Sequence, residues 1–156
     1  MERKIYTKIV GTGSYLPKKV LTNDDIAQLV DTNDEWIRER TGIQSRHIVE
    51  DETTVTMASM AAKDALENAN LQPEDIDLLI VATVSADNLL PSTACSVQKE
   101  LGAVNATAFD INAACSGFLF ALNTADAYIK TGMYKNALLI GVETLSKIVD
   151  WNDRGT

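Results

Sequence analysis

The sequence is poor in residues that bind metal ions or cross-link small domains. It has two cysteines, Cys95 and Cys115, and one histidine, His47, among 156 residues. The cysteines do not form a CxxC pair, and the histidine has no second ligand at a spacing typical of zinc sites. We therefore expect neither a zinc site nor a structural disulfide.

Positive charge is also scarce. Lysine and arginine number 14 against 22 aspartates and glutamates, so the formal net charge is -8, and no basic cluster appears. Nucleic acid is excluded as a partner because a phosphate-binding surface needs such a cluster. The apolar stretch near the start is interrupted by Gly11, Gly13 and Ser14, so we predict neither a signal peptide nor a membrane span, and a cytoplasmic location.

The order of apolar segments is typical of an α/β protein. With 46% hydrophobic residues, the chain is long enough for one domain with a sizeable core. Short apolar runs alternate with segments of helical periodicity, which indicates a layered α/β fold with a mostly parallel sheet. Strands are expected at 8–16, 43–49, 78–82, 107–112 and 137–142. Helices are expected from 22, over 34–40, from Thr54, over 91–101, and from beyond Cys115 to Gly132.

Two of these helices carry residues that we expect to face the core. In the helix capped by Thr54, small residues recur at helical spacing: Ala58, Ala61, Ala62, Ala65, Leu66 and Ala69. In the helix after Cys115, one stripe comprises Phe118, Leu122, Ala125 and Ile129. Cys95 falls inside a third helix beside Ala94 and Val97, so we expect it to pack in the core.

Gly11 and Gly13 follow a predicted strand and invite comparison with a dinucleotide-binding loop. The third glycine of that fingerprint is absent, since Leu16 takes its place and Pro17 stands where a helix should run. A turn-forming pair of glycines is the better interpretation.

Cys115 is the strongest candidate for chemistry because it follows a predicted strand and opens a predicted helix. A thiol placed there lies near the positive end of the helix dipole and near unpaired amides, which favour the thiolate. Its small neighbours let a substrate carbonyl approach both the sulfur and the Cys115 amide, a potential oxyanion donor. His47 is a less probable base for it, because nothing in the sequence links the two.

Trp36 stands among charged residues on a short predicted helix rather than in an apolar run. Two interpretations remain open from the residues alone. The indole is a half-buried edge of the core, or it stacks on a flat ring such as adenine with arginines nearby to meet phosphates.

Five sequence blocks carry a family resemblance: GTGSYLP at 11–17, DEWI at 34–37, RTGI at 40–43, AACSGF at 113–118 and DRGT at 153–156. Together, in order and across the whole chain, they closely resemble 3-oxoacyl-[acyl-carrier-protein] synthase III. This family comprises thiolase-fold condensing enzymes that start bacterial type II fatty acid synthesis. The resemblance implies a thiolase-like α/β/α fold, of which residues 1–156 are the N-terminal half.

The resemblance also implies a reaction and an acyl-CoA site. Cys115 attacks the thioester of acetyl-CoA or a related primer, becomes acylated, and then receives the carbanion formed by decarboxylation of malonyl-acyl carrier protein. Trp36 and Arg154 resemble the pair that sandwiches the CoA adenine, with Thr32 and Arg40 beside the nucleotide. No permanently bound cofactor is implied.

Two further positions concern the acyl pocket. Thr41 is similar to a residue near that pocket. Leu90 matches a position that, in the family homodimer, reaches into the partner's acyl pocket. A leucine there, in place of the larger aromatic of some members, implies room for longer or branched primers.

The chain departs from the family in length. Members are about twice as long, and their catalytic histidine and asparagine belong to a second half that nothing here matches. We therefore expect this chain to hold the nucleophile and part of the CoA site without completing condensation alone. The alternatives are another thiolase-fold condensing enzyme, such as a polyketide-type one, a non-catalytic CoA-binding or acyl-binding module, and a dimerisation module.

Overall fold

Short strands alternate with helices along the chain, and the computed structural model describes residues 5–156. The strands of this range are β1 (Lys19–Thr22), β2 (Ser45–Ile48), β3 (Leu78–Ala82), β4 (Thr107–Ile111) and β5 (Ala137–Gly141). The α-helices are α1 (Asn23–Ala27), α2 (Asp34–Thr41), α3 (Thr54–Ala69), α4 (Thr93–Leu101) and α5 (Gly117–Lys130). Within this range no helix combines the length and the apolar character that crossing a membrane requires.

The chain forms two compact units. The first unit comprises the residues up to Tyr15 together with Thr53–Glu143, and it contains α3 to α5 and β3 to β5. The second unit comprises Leu16–Glu52 and Thr144–Thr156, and it contains β1, β2, α1 and α2.

A three-stranded parallel sheet in the order β4-β3-β5 lies at the centre of the first unit. Leu78 of β3 is paired with Thr107 of β4 and with Ala137 of β5. Every residue of β3 is buried, as expected for a parallel strand that is covered on both faces. The strand predicted at 78–82 and the parallel α/β arrangement are confirmed.

Helices cover both faces of this sheet. Leu78 and Ile80 form a buried cluster with Ala121 and Ala125 of α5. Because successive strand residues point to opposite faces, the residues between them face the other side, where α3 and α4 pack. The first unit is therefore layered α/β/α.

Side-chain caps set the starts of α3 and α4. The Thr53 hydroxyl accepts a hydrogen bond from the Thr56 amide, and the Thr56 hydroxyl accepts one from the Thr53 amide. In α4 the Ser92 hydroxyl accepts a hydrogen bond from the Cys95 amide. Each cap satisfies an amide that has no partner inside its helix. The predicted cap of α3 is off by one residue, since Thr54 is the first helical residue and lies buried.

Residues 8–16 do not form a strand, contrary to the prediction. They pair with no strand of the described chain and contact α3 instead. The Ser14 amide donates to the Asp64 carboxylate at 2.9 Å, and the side-chain amide of Asn68 donates to the Thr12 carbonyl at 2.8 Å. Side chains of α3 thus form hydrogen bonds with backbone groups of this segment. A run of apolar residues was therefore not sufficient to predict a strand, because a strand also needs a hydrogen-bonded neighbour strand.

Gly11 and Gly13 permit this contact with α3. A Cβ atom at Gly13 would lie 2.3 Å from the carbonyl oxygen of Ala61, and one at Gly11 would lie 2.5 Å from that of Ala65. Neither glycine lies in a turn or has a positive φ. The predicted turn-forming pair is therefore wrong, and the glycines are needed because a side chain would collide with the helix backbone.

The buried face of α5 consists of small residues rather than the predicted stripe. Gly117, Ala121 and Ala125 are buried, whereas Phe118 is 47% exposed. Of the predicted stripe, only Ala125 is fully buried. A Cβ atom at Gly117 would lie 3.0 Å from that of Ala82, so the helix starts in direct contact with β3. Only small side chains fit so close a contact with β3, and the Phe118 side chain lies beside Gly141 at the end of β5 instead.

The second unit is organised around a buried asparagine. Asn23 donates through its side-chain amide to the Asp34 carboxylate and to the Ile43 carbonyl, both at 2.8 Å, and accepts from Arg46 at 2.8 Å. Hydrogen bonds from Arg38 and then from Asn23 lower the pKa of Asp34. The network joins α1, α2 and the antiparallel β1–β2 ribbon. The sequence analysis missed β1, which is only four residues long.

Candidate active site and nucleotide cavity

Cys115 lies at the turn between β4 and α5. The strand ends at Ile111, a single 3-10 turn covers Ala114–Ser116, and α5 begins at Gly117. The cysteine is exposed and forms no disulfide. Its predicted place, after a strand and before a helix, is confirmed, while its chemical role stays a prediction.

The backbone of this turn is unusual at Ala114, whose φ of 45° lies in the left-handed region that residues with a side chain rarely adopt. The Ser116 amide donates to the Ala113 carbonyl at 3.1 Å. No side chain caps α5, so amides of its first turn have no partner inside the helix. Amide donors beside an exposed thiol are the groups that stabilise a tetrahedral oxyanion in acyl transfer.

Leu90 lies in the loop that joins β3 to α4, which we name the Leu90 loop (residues 83–92). Its side chain is 87% exposed and that of Leu89 is 97% exposed. The loop nevertheless starts at a buried residue, Thr83, and leads into another, Thr93. Two adjacent leucines are thus presented at the tip of a loop with anchored ends, where they are free to contact another molecule.

Trp36 on α2 is in contact with two arginines. The guanidinium carbon of Arg40 lies 4.7 Å from the centre of the Trp36 ring, and that of Arg154 lies 4.9 Å from it. Both distances are within the range of cation–π attraction. The structure therefore brings together three of the residues that the resemblance assigned to the nucleotide.

A cavity of about 290 Å³ adjoins this cluster in the second unit, and Thr32, Trp36 and Arg154 line it. Arg40 contacts the indole but is not part of the lining. The other lining residues are mainly apolar: Ile26, Leu29, Val30, Ile37, Val149, Asp150, Trp151, Asp153 and Thr156. A cavity of this kind, with an indole and a guanidinium, suits a flat ring that carries phosphate.

The hydroxyl of Thr32 is buried and has no hydrogen-bond partner within residues 5–156. Leaving a buried hydroxyl unpaired costs about 1–3 kcal/mol. Because Thr32 lines the cavity, a polar atom of a bound molecule can supply the missing partner.

Thr41 is the last residue of α2. Its hydroxyl donates to the Ile37 carbonyl at 2.7 Å and accepts from the Ile43 amide at 3.1 Å. Gly42 follows with a φ of 73° and ends the helix. In this structure Thr41 thus stabilises the end of α2, and its place near an acyl pocket stays a prediction.

Trp151 and Asp153 are cavity residues that the sequence analysis missed. The indole N–H of Trp151 donates to the Ser146 carbonyl at 3.2 Å, and the Asp153 carboxylate accepts from the Gly155 amide at 2.8 Å. The sequence does contain a signal for them, because both lie within three residues of Arg154.

The remaining cysteine and the histidine have other environments. Cys95 is exposed, so the predicted core packing is wrong. The buried face of α4 passes through Ala94 and Val97 but leaves the cysteine outside.

His47 donates from Nδ1 to the Pro17 carbonyl at 2.6 Å within the second unit. Among residues 5–156, no three potential metal ligands cluster closely enough to hold an ion.

Comparisons with known proteins agree with this geometry. A family model described as 3-oxoacyl-[acyl-carrier-protein] synthase III matches residues 109–156. The β-ketoacyl-[acyl-carrier-protein] synthase III of Clostridium acetobutylicum is 58% identical over 149 residues, which are 96% of this chain and 46% of that protein. The chain thus spans about half the length of the curated relatives it matches.

Two crystal structures have the same fold. The 3-oxoacyl-[acyl-carrier-protein] synthase III of Aquifex aeolicus VF5 has a TM-score of 0.94 at 58% identity, over 96% of this chain and 49% of that one. The priming β-ketosynthase of the R1128 polyketide pathway has a TM-score of 0.94 at 36% identity, over 99% of this chain and 46% of that one. The described residues therefore have the fold of the thiolase-like synthases, and Cys115 lies at a strand-to-helix turn of that fold.

Within that class the higher identity points to one branch. The chain is similar to the N-terminal half of 3-oxoacyl-[acyl-carrier-protein] synthase III proteins.

Proposed function

We propose that this chain carries the nucleophile and part of the CoA site of an acyltransferase. The enzyme condenses an acyl-CoA primer with malonyl-acyl carrier protein at the start of fatty acid synthesis in the cytoplasm. The observation that carries the proposal is the exposed Cys115 thiol between β4 and α5, in a chain 58% identical to a synthase of this family.

The first half-reaction transfers the primer to the enzyme. The Cys115 sulfur, after loss of its proton, attacks the carbonyl carbon of the acyl-CoA thioester. The new carbon–sulfur bond forms as the bond to the CoA sulfur breaks, and CoA leaves as a thiol after taking up a proton. In the proposal the Cys115 amide donates to the oxyanion that forms between these two events.

The second half-reaction forms the carbon–carbon bond. Malonyl-acyl carrier protein loses carbon dioxide, and the resulting carbanion attacks the carbonyl carbon of the acyl cysteine. The Cys115 sulfur leaves, and the 3-oxoacyl chain remains on the carrier protein. A histidine and an asparagine of a second half stabilise the carbanion in this proposal, and this chain supplies neither of them.

Two observations support the need for a second half. The chain spans 46% of the Clostridium acetobutylicum relative. In addition, three consecutive apolar residues at the start of α5, namely Phe118, Leu119 and Phe120, are each about half exposed, at 47%, 60% and 52%. Exposed apolar side chains gathered at one end of a helix are normally covered by another layer of protein.

The cavity of the second unit supports the CoA role. In the proposal Trp36 and Arg154 sandwich the adenine ring, with Thr32 and Arg40 beside the nucleotide. The Arg154 guanidinium carbon lies 4.9 Å from the centre of the Trp36 ring, so it moves away from the indole when the adenine enters. The unpaired Thr32 hydroxyl binds a polar atom of the same nucleotide. No permanently bound cofactor is part of the scheme, since acyl-CoA is a substrate.

The acyl pocket is completed in a homodimer, in which Leu90 reaches the pocket of the second copy and Thr41 lies near the chain's own pocket. Two features support dimer formation. The outer edge of β4 pairs with no strand of the described chain, and exposed strand edges recruit further strands. The tip of the Leu90 loop is apolar and exposed.

Intact-mass measurement after incubation with acetyl-CoA tests the proposal. We expect the mass of one acetyl group to be added to the parent chain and to Cys95→Ser, and not to Cys115→Ser. Cys95→Ser is the matched control because both thiols are exposed. An adduct that survives Cys115→Ser contradicts the assignment of the nucleophile, and efficient condensation by this chain alone contradicts the role of a second half. CoA binding without any acylation favours the non-catalytic binding module.

A further inference from the structure

Three carboxylates hold the Leu90 loop in place. Asp110, on the strand that leads to Cys115, accepts two backbone hydrogen bonds from the start of α4. Its Oδ2 atom accepts from the Thr93 amide at 2.8 Å, and its Oδ1 atom accepts from the Ala94 amide at 2.7 Å. Asp110 therefore fixes the point at which the loop enters α4.

The other two carboxylates fix the beginning of the loop. Glu143, two residues beyond β5, accepts from the Val84 amide at 3.0 Å and from the Ser85 hydroxyl. Asp87 accepts from the Thr54 and Val55 amides of α3 at 3.0 and 2.9 Å. Hydrogen bonds to a charged oxygen are stronger than those between neutral groups. A carboxylate is also stabilising at the N-terminus of a helix, because the helix dipole is positive there.

The tip of the loop has no such contacts of its own. The structure shows no hydrogen bond from Asn88, Leu89 or Leu90 to any other residue in the range 5–156, and both leucines are almost fully exposed. The position of the Leu90 side chain therefore depends on the anchors on either side, Asp87 before it and the Asp110 contacts after it. Asp110 is the only one of the three carboxylates that also lies on the strand carrying the chain to Cys115.

We infer that Asp110 is a positioning residue that holds the Leu90 side chain in one place and thereby sets the length of acyl chain the enzyme accepts. The consequence for acyl length rests on the proposed function, whereas the effect on loop position does not. When one end of the loop is released, the Leu90 side chain can move. An acyl pocket whose length is limited by Leu90 then accepts longer acyl chains.

The test compares Asp110→Asn with Asp75→Asn, both in a Cys95→Ser background that leaves one thiol. An asparagine has one acceptor oxygen instead of two, so only one of the two contacts to α4 survives. Asp75 is the matched control because its carboxylate also accepts a backbone amide at the start of a helical turn, that of Gln72 at 2.8 Å. Thr93→Pro is a second variant, which removes one donor at a helix position that tolerates proline.

Hydrogen exchange measures the effect on the loop. We expect amide exchange across residues 88–94 to become about tenfold faster in Asp110→Asn and in Thr93→Pro, with β3 and β5 unchanged, and no change in Asp75→Asn. Unchanged exchange in the loop overturns the inference. Equal acceleration throughout the first unit overturns it too, because that outcome means general destabilisation.

Acylation of Cys115 measures the effect on acyl length. We expect the ratio of octanoyl-CoA to acetyl-CoA acylation rates to rise about fivefold in Asp110→Asn, because the net contribution of one typical hydrogen bond corresponds to a factor of that order. If the Leu90 loop exchanges faster in Asp110→Asn but the ratio of octanoyl-CoA to acetyl-CoA acylation rates stays the same, the link to acyl length is overturned. If the parent chain accepts no thioester, the proposed function fails while the exchange comparison still decides the positioning role.

Discussion

The guanidinium carbon of Arg154 lies 4.9 Å from the centre of the Trp36 ring, although 117 positions separate the two residues in the sequence. The contact joins the first and last segments of the second unit. Both side chains also line the cavity that we assign to the CoA nucleotide. The resemblance assigned the two residues to opposite sides of the CoA adenine, and here their side chains contact each other directly.

Replacing Arg154 with alanine is expected to weaken CoA binding about tenfold, because the variant loses the cation on one side of the adenine sandwich. Isothermal titration with CoA measures the dissociation constant. Arg38→Ala is the matched control, since Arg38 is paired with Asp34 at 2.8 Å and does not line the cavity. Equal losses in the two variants contradict the assigned site.

Gly13→Ala is expected to lower the free energy of unfolding by about 1–3 kcal/mol, as overpacking does elsewhere. The new Cβ atom would lie 2.3 Å from the Ala61 carbonyl oxygen, so residues 8–16 must move away from α3. Denaturant unfolding measures the loss. Gly155→Ala serves as the control, because its Cβ would meet only the side chain of Asp153 at 3.2 Å. A fully stable Gly13→Ala variant would show that this segment does not pack on α3.

Ser59→Ala is expected to raise the free energy of unfolding by about 1 kcal/mol. The Ser59 hydroxyl on α3 is fully buried and has no partner within the described chain, so removing it relieves an unpaired polar group. Ser96→Ala is expected to act in the opposite direction, because the Ser96 hydroxyl donates to the Ser92 carbonyl at 3.2 Å. Destabilisation by Ser59→Ala would reveal a hydrogen bond that the structure does not contain.

Asp34 is expected to make the stability of the chain depend on pH in the acid range. The hydrogen bond from Arg38, and next that from Asn23, lower the pKa of Asp34 in the folded state. Its stabilising effect is therefore complete above the unfolded pKa of about 4, and is lost as the pH falls through the lower folded pKa.

Denaturant unfolding between about pH 2 and pH 6 measures this dependence, which spans the unfolded carboxyl pKa. We expect a shallower loss of stability at acid pH in Asp34→Asn than in the parent, and a smaller difference at high salt because the carboxylate is partly exposed. Asp24→Asn is the control, since the structure shows no side-chain hydrogen bond for Asp24 in the described chain. Identical pH profiles for the parent and Asp34→Asn would contradict the lowered pKa.

Local patterns predicted the elements whose causes are themselves local. The strand at 78–82 was predicted from an unbroken apolar run, and α2 was predicted from the acidic start at Asp34 and the glycine at Gly42. The position of Cys115 was predicted because an apolar strand pattern at 107–112 is followed by the small residues of the AACSGF block and then by a helical pattern.

The errors have a common physical cause, because each concerns a partner that is distant in the sequence. Residues 8–16 have the composition of a strand, but a strand exists only beside another strand, and here α3 takes that place. The face that α5 buries is decided by how closely it approaches β3, so small residues face that strand, whereas Phe118 is half exposed beside Gly141 of β5.

The sequence by itself determined the α/β class, the place of Cys115 between a strand and a helix, and the blocks that carry the resemblance, since these depend on residues that are neighbours along the chain. Tertiary structure alone decided that Arg154 meets Trp36, that the Thr32 hydroxyl is left unpaired in a cavity, and that Asp110 anchors the Leu90 loop. Contacts of this kind depend on how separate segments pack, because packing brings together polar groups that no local pattern relates.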